Sequence, residues 1–291
     1  MSKMTTKPDV FIGCECAFDD AEIVMFSAPF DSTTSFRPGA RFAGEAIRRG
    51  SYGIETYSPY QGNDIESMRI LDAGELELPF GNAEKSLEQI RLYTAQILGA
   101  KASYQNIKKP FLIGGEHLVT LGAISAVMEK YSDLHVVHFD AHADLRDEYL
   151  GEKLSHATVM RRVQELLGNG KIYQSGIRSG EKDEFLFAEK HTIMHKFDLA
   201  KMPDVVRELE GKPVYFSLDL DVLDPSVFPG TGTPEPGGVS FKELHEAILM
   251  LKKLNIVACD VVELSPHYDH SGISTMAACK IIREILMAIG G

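Results

Sequence analysis

Eight short runs of apolar, largely β-branched residues recur along this chain, and amphipathic stretches stand between them. The runs fall at 23–28, 68–73, 110–113, 135–139, 172–177, 193–195, 214–218 and 257–262. Several are apolar throughout, as strands are when both faces are buried; a strand with one wet face alternates instead. The stretches between them carry helical spacing. Along 87–98, Leu87, Ile90, Leu92, Ile97 and Leu98 fall roughly on one side. Over 241–254 the pattern begins after Ser240, with Glu243 three residues on, the residue types of a capping box. This alternation predicts an α/β chain, a three-layer α/β/α arrangement around a mostly parallel eight-stranded sheet. A closed eight-stranded barrel is the rival, because alternation alone does not separate an open sheet from a closed one. The 291 residues hold no repeat, low-complexity tract or evident linker, so one domain over 1–291 is expected.

Composition removes some classes of function. A content of 44% hydrophobic and 25% charged residues is that of a soluble globular protein, and no apolar run approaches the ~20 residues that span a bilayer. The first residues, Met-Ser-Lys-Met-Thr-Thr-Lys-Pro-Asp, have no apolar stretch after their lysines. A cytoplasmic location is therefore expected rather than secretion. Cys14, Cys16, Cys259 and Cys279 form no Cys-x-x-Cys pair and read as reduced thiols, not as a disulfide framework or a zinc site. A net charge of −12 and a pI near 5.3 disfavour nucleic acid and anionic membrane as partners and favour the approach of a cation.

In either architecture, active sites gather beyond the carboxyl ends of the strands. Four strand ends carry polar clusters here. Gly114-Gly115-Glu116-His117 follows the third run and Asp140-Ala141-His142-Ala143-Asp144 the fourth. Asp219-Leu220-Asp221 and then Asp224-Pro225 follow the seventh, and Glu263 follows the eighth. If the backbone stays extended, Asp140, His142 and Asp144 project to one face and Asp219 and Asp221 repeat the arrangement. So many acids beyond buried strands would repel and lose hydration unless positive charge sat among them, which divalent cations supply. A carboxylate-rich set with some imidazole suits Mn²⁺ better than a thiolate-type zinc site. Two ions close together can share carboxylates and activate one water. A lone Asp-x-His or Asp-x-Asp is more often a turn or a cap; the two together, each directly after a buried run, disfavour that bland alternative.

Gly-Gly-Glu-His at 114–117, Phe-Asp-Ala-His-Ala-Asp at 139–144 and Ser-Leu-Asp-Leu-Asp-Val-Leu-Asp-Pro at 217–225 resemble the three signature segments of the ureohydrolases, the arginase and agmatinase family. The resemblance covers nearly the whole chain and implies an arginase-like fold. It implies that His117, Asp140, Asp144 and Asp219 hold one Mn²⁺ and that Asp140, His142, Asp219 and Asp221 hold the other. Asp140 and Asp219 then bridge, and a hydroxide shared by the ions attacks the guanidinium carbon to release urea and an amine. Asp144 would accept a hydrogen bond from that hydroxide. His156 matches the proton-shuttle position, a role imidazole suits, although a polar residue opening a helix over 157–167 would look the same. Glu263 matches the carboxylate that meets the substrate guanidinium, where a bidentate contact is apt. Thr233, in Gly230-Thr231-Gly232-Thr233-Pro234, falls in the loop that helps hold the substrate; a purely structural loop is the alternative. His138 is expected within its strand, pointing away from Asp140 or making an outer contact to it. His135, His191, His195, His245, His267 and His270 lack ligand spacing and read as surface or packing residues.

The stretch 145–156 lacks the Asn and Ser/Thr-rich contacts of arginases. Its Asp-Leu-Arg-x-x-Tyr-x-Gly pattern is similar to bacterial-type agmatinases, as are Ser35-Phe36-Arg37-Pro38-Gly39 and Gly176-Ile177-Arg178-Ser179-Gly180. Agmatine ends in an ammonium and suits an acidic rim, for which Glu148, Glu152 and Glu181 are candidates. The expected reaction is agmatine to putrescine and urea, in polyamine synthesis, by a homotrimer or homohexamer. The alternatives are a guanidinobutyrase or arginase, a single-zinc amidohydrolase of the histone-deacetylase type, and a non-catalytic metal-binding regulator.

Overall fold

The strands are largely apolar because helices cover both faces of the sheet. The computed structural model describes residues 9–101 and 107–290. In chain order its strands are β1 (Ile23–Ser27), β2 (Tyr57–Ser58), β3 (Asn63–Asp64), β4 (Ile70–Glu75), β5 (Lys109–Ile113), β6 (His135–Phe139), β7 (Ile172–Ile177), β8 (Ile193–Lys196), β9 (Pro213–Asp219) and β10 (Asn255–Val262). Along β1, Ile23 and Met25 enter one core while Val24 and Phe26 enter the other. Across β9, Val214, Phe216 and Leu218 face the first core and Tyr215 the second. The first core is closed by α1 (Ala43–Ser51), α6 (Met202–Glu208), α7 (Phe241–Met250) and α8 (Ile273–Ile289). The second is closed by α2 (Ala83–Gly99), α3 (Val119–Lys130), α4 (Val159–Leu167) and α5 (Lys182–His191). Each large apolar side chain so buried contributes about 1.5–3 kcal/mol relative to its exposed state.

Eight strands form one open parallel sheet in the order β4-β1-β5-β10-β9-β6-β7-β8. Its edges are β4 and β8, so the barrel rival falls. The chain builds β1, β4 and β5, leaves a gap, builds β6 to β8 outward, and returns to fill the gap with β9 and β10. The four strands whose ends carry the polar clusters (β5, β10, β9 and β6) are thereby adjacent, at the place where the winding reverses and ligands bind in open α/β sheets.

All eight expected strands are present, with ends moved by a residue or two. The antiparallel pair β2–β3 was not anticipated, since two-residue strands carry no periodicity. The helix expected over 87–98 runs Ala83–Gly99, with the Asn82 side chain accepting from Lys85 N at 2.8 Å. The Ser240/Glu243 capping box forms, and α7 ends at Met250 in a short 3-10 turn rather than running to 254. The expected helix over 157–167 opens as a 3-10 turn, His156–Thr158, and becomes α-helical as α4. All four cysteines are free. No helix among the described residues is long and apolar enough to cross a membrane. Met1 to Pro8, read above for a secretory signal, lie outside the described residues.

Candidate metal centre

Beyond β5 the chain turns through Gly114-Gly115 into α3. A Cβ on Gly115 would lie 1.9 Å from Phe30 O, so the close approach of these two backbones requires glycine. The turn aims His117 Nδ1 at three carboxylates: Asp140 Oδ2 at 3.1 Å, Asp144 Oδ2 at 3.1 Å and Asp219 Oδ2 at 3.4 Å. On its other edge, His117 Nε2 lies 3.0 Å from Ser217 Oγ, which donates to Asp260 Oδ1 at 2.7 Å. His142 Nδ1 marks a second lobe, 3.0 Å from Asp221 Oδ2 and 3.5 Å from Asp140 Oδ1. Asp140 faces both lobes, one oxygen to each. Asp219 faces the first through Oδ2, while its Oδ1 accepts Asp221 N at 2.8 Å. The six candidate ligands thus converge.

The route to that convergence differs from continuous extended backbone. β6 stops at Phe139, and Asp144 has φ of 53°, so the side chains meet through a loop rather than by strand alternation. Asp219 is the last residue of β9, and Asp221 lies in the following 3-10 turn, Leu220–Val222. Glu263, directly after β10, also has a positive φ, 67°. Left-handed backbone is cheap for Asp and uncommon for Glu, and such outliers gather where a site dictates the conformation.

Electrostatics test whether cations fit. Among the described residues, the only cationic side chains within 4 Å of these carboxylates are histidines. Burial, then the charge of Asp140, pushes Asp144 up to about 7. Burial, then Asp221 and Asp140, raises Asp219 well above the carboxylate range. Burial also raises Glu263, with Glu116 adding to it. Burial opposes the Asp140 charge too, but contacts from His117, His138 and His142 outweigh it and hold that carboxyl low. His117 Nδ1 is buried and aimed at the acids without forming a hydrogen bond. An orphaned imidazole nitrogen among acids that cannot all ionise unaided is a donor set that divalent cations satisfy.

A cleft of about 280 Å³ opens from this cluster, lined by His142, Asp144, His156, Thr233, Arg146 and Glu181 among others. His156 Nε2 lies 3.1 Å from Ser35 Oγ, and its backbone N–H donates to Thr33 Oγ1 at 3.1 Å. Burial, with positive charge on His142 and His117 adding to it, lowers His156 to about 4. Thr233 Oγ1 donates to Asp221 Oδ2 at 3.4 Å. Glu263 Oε1 already accepts His117 N at 2.7 Å, so a bidentate substrate contact there would share that oxygen. Of the three proposed rim acids, Glu181 lines the cleft, while Glu148 and Glu152 are exposed outside it. Arg146 Nη1 pairs with Glu181 at 2.9 Å and its Nε lies 3.4 Å from the buried Glu184, so the rim is not purely acidic.

A profile of the arginase family matches residues 21–288. The chain belongs to the arginase family. It is a hydrolase of guanidino carbon–nitrogen bonds. It is 45% identical over 282 residues to an agmatinase from Bacillus anthracis, covering 96% of this chain and 95% of that one. A solved Clostridium difficile structure superposes with a TM-score of 0.90 at 50% identity, covering 94% of this chain and 99% of that one. The agmatine ureohydrolase of Thermoplasma volcanium superposes with a TM-score of 0.87 at 30% identity, covering 98% and 95% respectively.

Three further charged residues support the site, one in the cleft wall (Arg146) and two beneath it (Glu116 and Arg178). Glu116 is buried and accepts from Thr33 N at 2.9 Å, from Thr34 Oγ1 at 3.0 Å and from Thr33 Oγ1, which ties the loop bearing Ser35 to the cluster. Arg146 stacks over Tyr149, 4.5 Å from the ring centroid. Arg178 clamps the turn that carries Asp221. Only charge inside an otherwise small-residue motif could have flagged them. His138 also differs from one expectation: it points toward Asp140, not away. The other histidines lie outside the cleft, with His135 and His245 buried in packing.

Proposed function

We propose that this enzyme hydrolyses agmatine to putrescine and urea, with two Mn²⁺ ions held by His117, Asp140, His142, Asp144, Asp219 and Asp221. The observation that carries the metal reading is the pair of lobes around His117 Nδ1 and His142 Nδ1 with Asp140 facing both. When bound, such ions supply a water acidic enough to serve as nucleophile near neutral pH. The side chains do the rest. Asp144, at the wall of the cleft, accepts a hydrogen bond from the attacking water and fixes its direction. Glu263 pairs with the guanidinium and presents its carbon, and Thr233 closes that side. His156, steadied by Ser35 and Thr33, takes the proton that the attacking water gives up and passes it to the departing amine nitrogen.

Agmatine rather than another guanidine is supported by identity to agmatinases over nearly the full chain and by the rim's charge. Glu181 and Glu184 share one guanidinium, Arg146, which leaves one negative charge to receive an ammonium. Arg146 also favours a carboxylate-ended substrate such as guanidinobutyrate. A cytoplasmic homotrimer or homohexamer, active in polyamine synthesis, is the setting this reading implies.

Urea release by the Mn²⁺-loaded enzyme from agmatine, arginine, guanidinobutyrate and guanidinopropionate tests it. Agmatine should lead in kcat/KM by at least about tenfold, or ~1.4 kcal/mol of transition-state stabilisation. Equal turnover of arginine, or activity on guanidinobutyrate alone, refutes the substrate and leaves the chemistry standing. Asp140→Ala should abolish both activity and metal uptake; a variant that still binds two ions refutes the ligand set.

A further inference from the structure

His138 is fully buried and has no part in the chemistry above. Its Nε2 lies 2.9 Å from Asp140 Oδ2, and its Nδ1 lies 3.2 Å from the side-chain nitrogen of Gln174. Ligand atoms of His117, His138 and Asp140 fall within 4.8 Å of one another, so distance alone allows Nε2 to be a further metal ligand. The alternative is a proton donor to Asp140.

Gln174 decides between them. Its Nε2 is also 2.8 Å from Ala143 O, a carbonyl that can only accept. The nitrogen end of the amide is thereby fixed, and Oε1 accepts the Thr192 hydroxyl at 3.1 Å. The second amide N–H then points at His138 Nδ1, which must offer a lone pair. The ring proton is left on Nε2, facing Asp140, and a protonated nitrogen cannot coordinate a cation.

We infer that His138, locked by Gln174 in the Nε2–H tautomer, is a positioning residue that orients the Asp140 carboxylate for the metals and is not itself a ligand. The inference rests on the two-metal reading. Asp140 Oδ1 accepts His142 N at 2.6 Å, and Oδ2 accepts His138 Nε2–H. Each oxygen thus has one protein donor and keeps a lone pair for an ion, which is what a carboxylate shared by two ions needs.

The test is Mn²⁺ affinity of the metal-free full-length chain, measured by chelator competition, with thermal unfolding of the same metal-free samples as the check on folding. His138→Phe keeps the ring's shape and removes both nitrogens; it should weaken Mn²⁺ binding about 10- to 100-fold, the usual effect of losing a partner behind a ligand. His138→Gln places an amide N–H near the former Nε2 and should recover most of that loss. Gln174→Met leaves His138 in place but frees its tautomer, and should weaken binding by a smaller factor, roughly 3- to 10-fold. It serves as the test should His138→Phe not fold. Wild-type affinity in His138→Phe or in Gln174→Met, or equal losses in the Phe and Gln variants, overturns the inference while the two-metal reading stands. A wild-type chain that takes up no Mn²⁺ overturns that reading and the inference with it.

Discussion

Removing the Arg178 guanidinium should loosen the Asp221 turn and the Thr233 loop together. Arg178 follows β7, and its Nη2 donates to Asp221 O at 2.8 Å and Glu235 O at 2.7 Å. Nη1 donates to Val222 O at 3.1 Å and Nε to Glu235 O at 3.1 Å, with longer contacts of 3.4 Å to Gly176 O and Leu223 O. Among the described residues it has no carboxylate within 4 Å, so its donors serve backbone alone. The loop lies so close that a Cβ on Gly238 would be 2.6 Å from Nη2. A hydrogen bond from a charged donor contributes about 1.5–3 kcal/mol net. Three carbonyls, those of Asp221, Val222 and Glu235, lie within 3.1 Å. Their sum is an upper bound, because they share one donor group and water reaches a half-buried site. Arg178→Met should therefore destabilise by about 3–5 kcal/mol, a fall in Tm on the order of 10 °C for a chain of this size. Arg178→Lys keeps the charge but brings one nitrogen to a three-point clamp, and should recover less than half. Calorimetry of the metal-free variants reads the first effect. Urea release with Mn²⁺ reads the second, a loss in kcat as Asp221 moves. A Tm within about 2 °C of wild type for Arg178→Met, with kcat/KM for agmatine within about twofold, would refute the clamp.

Three further outcomes follow from the cleft and its supports. His156→Asn should lower kcat by about 10²- to 10⁴-fold with both ions retained, as metal analysis would read; loss of metal would refute a proton-transfer role. Thr33→Val removes the hydroxyl between Glu116 and His156 N, and should lower kcat about tenfold with little change in KM, since it displaces the shuttle and not the substrate; a change in KM alone would count against it. Burial works against the Asp269 charge, but bonds from Ser271 and Ser274 outweigh it and hold that carboxyl at about 2. Because this pKa is depressed on folding, its stabilisation is complete above about pH 4 and fades as pH falls toward 2. The Tm gap between wild type and Asp269→Asn should accordingly narrow between pH 6 and pH 3, and a gap that widens on acidification would contradict the assignment.

The strands were legible because covering a sheet on both faces leaves a mark, largely apolar runs such as Val136-Val137 and Val214-Tyr215-Phe216. Conformation after the strands was not. Spacing in Asp140-Ala141-His142-Ala143-Asp144 suggested extended backbone, yet Asp144 and Glu263 are left-handed, a state fixed by what surrounds a residue rather than by its neighbours in sequence. The acidic rim failed for a related reason. Glu148, Glu152 and Glu181 look equivalent as letters, but of the three only Glu181 lines the cleft, paired with Arg146, and which acid meets which base depends on how two loops fall together.

The same limit explains why motifs exposed the candidate site more readily than its geometry. Phe139 pairs with Leu218 between β6 and β9, and Asp219 with Val262 between β9 and β10, so Asp140, Asp219 and Glu263 leave neighbouring strands side by side. Val261 pairs with Ile113 between β10 and β5, which brings in His117. None of these adjacencies is local: β9 and β10 are made last and enter the middle of the sheet. Each cluster was visible as a polar cluster beyond a buried run, but its partner was set by the order of the strands. A chain that placed β9 and β10 at the sheet's edge would keep every motif and lose the site, because Asp219, Asp221 and Glu263 would be carried away from His117 and Asp140. The return of the chain to the gap is therefore as much a part of the candidate centre as its ligands are.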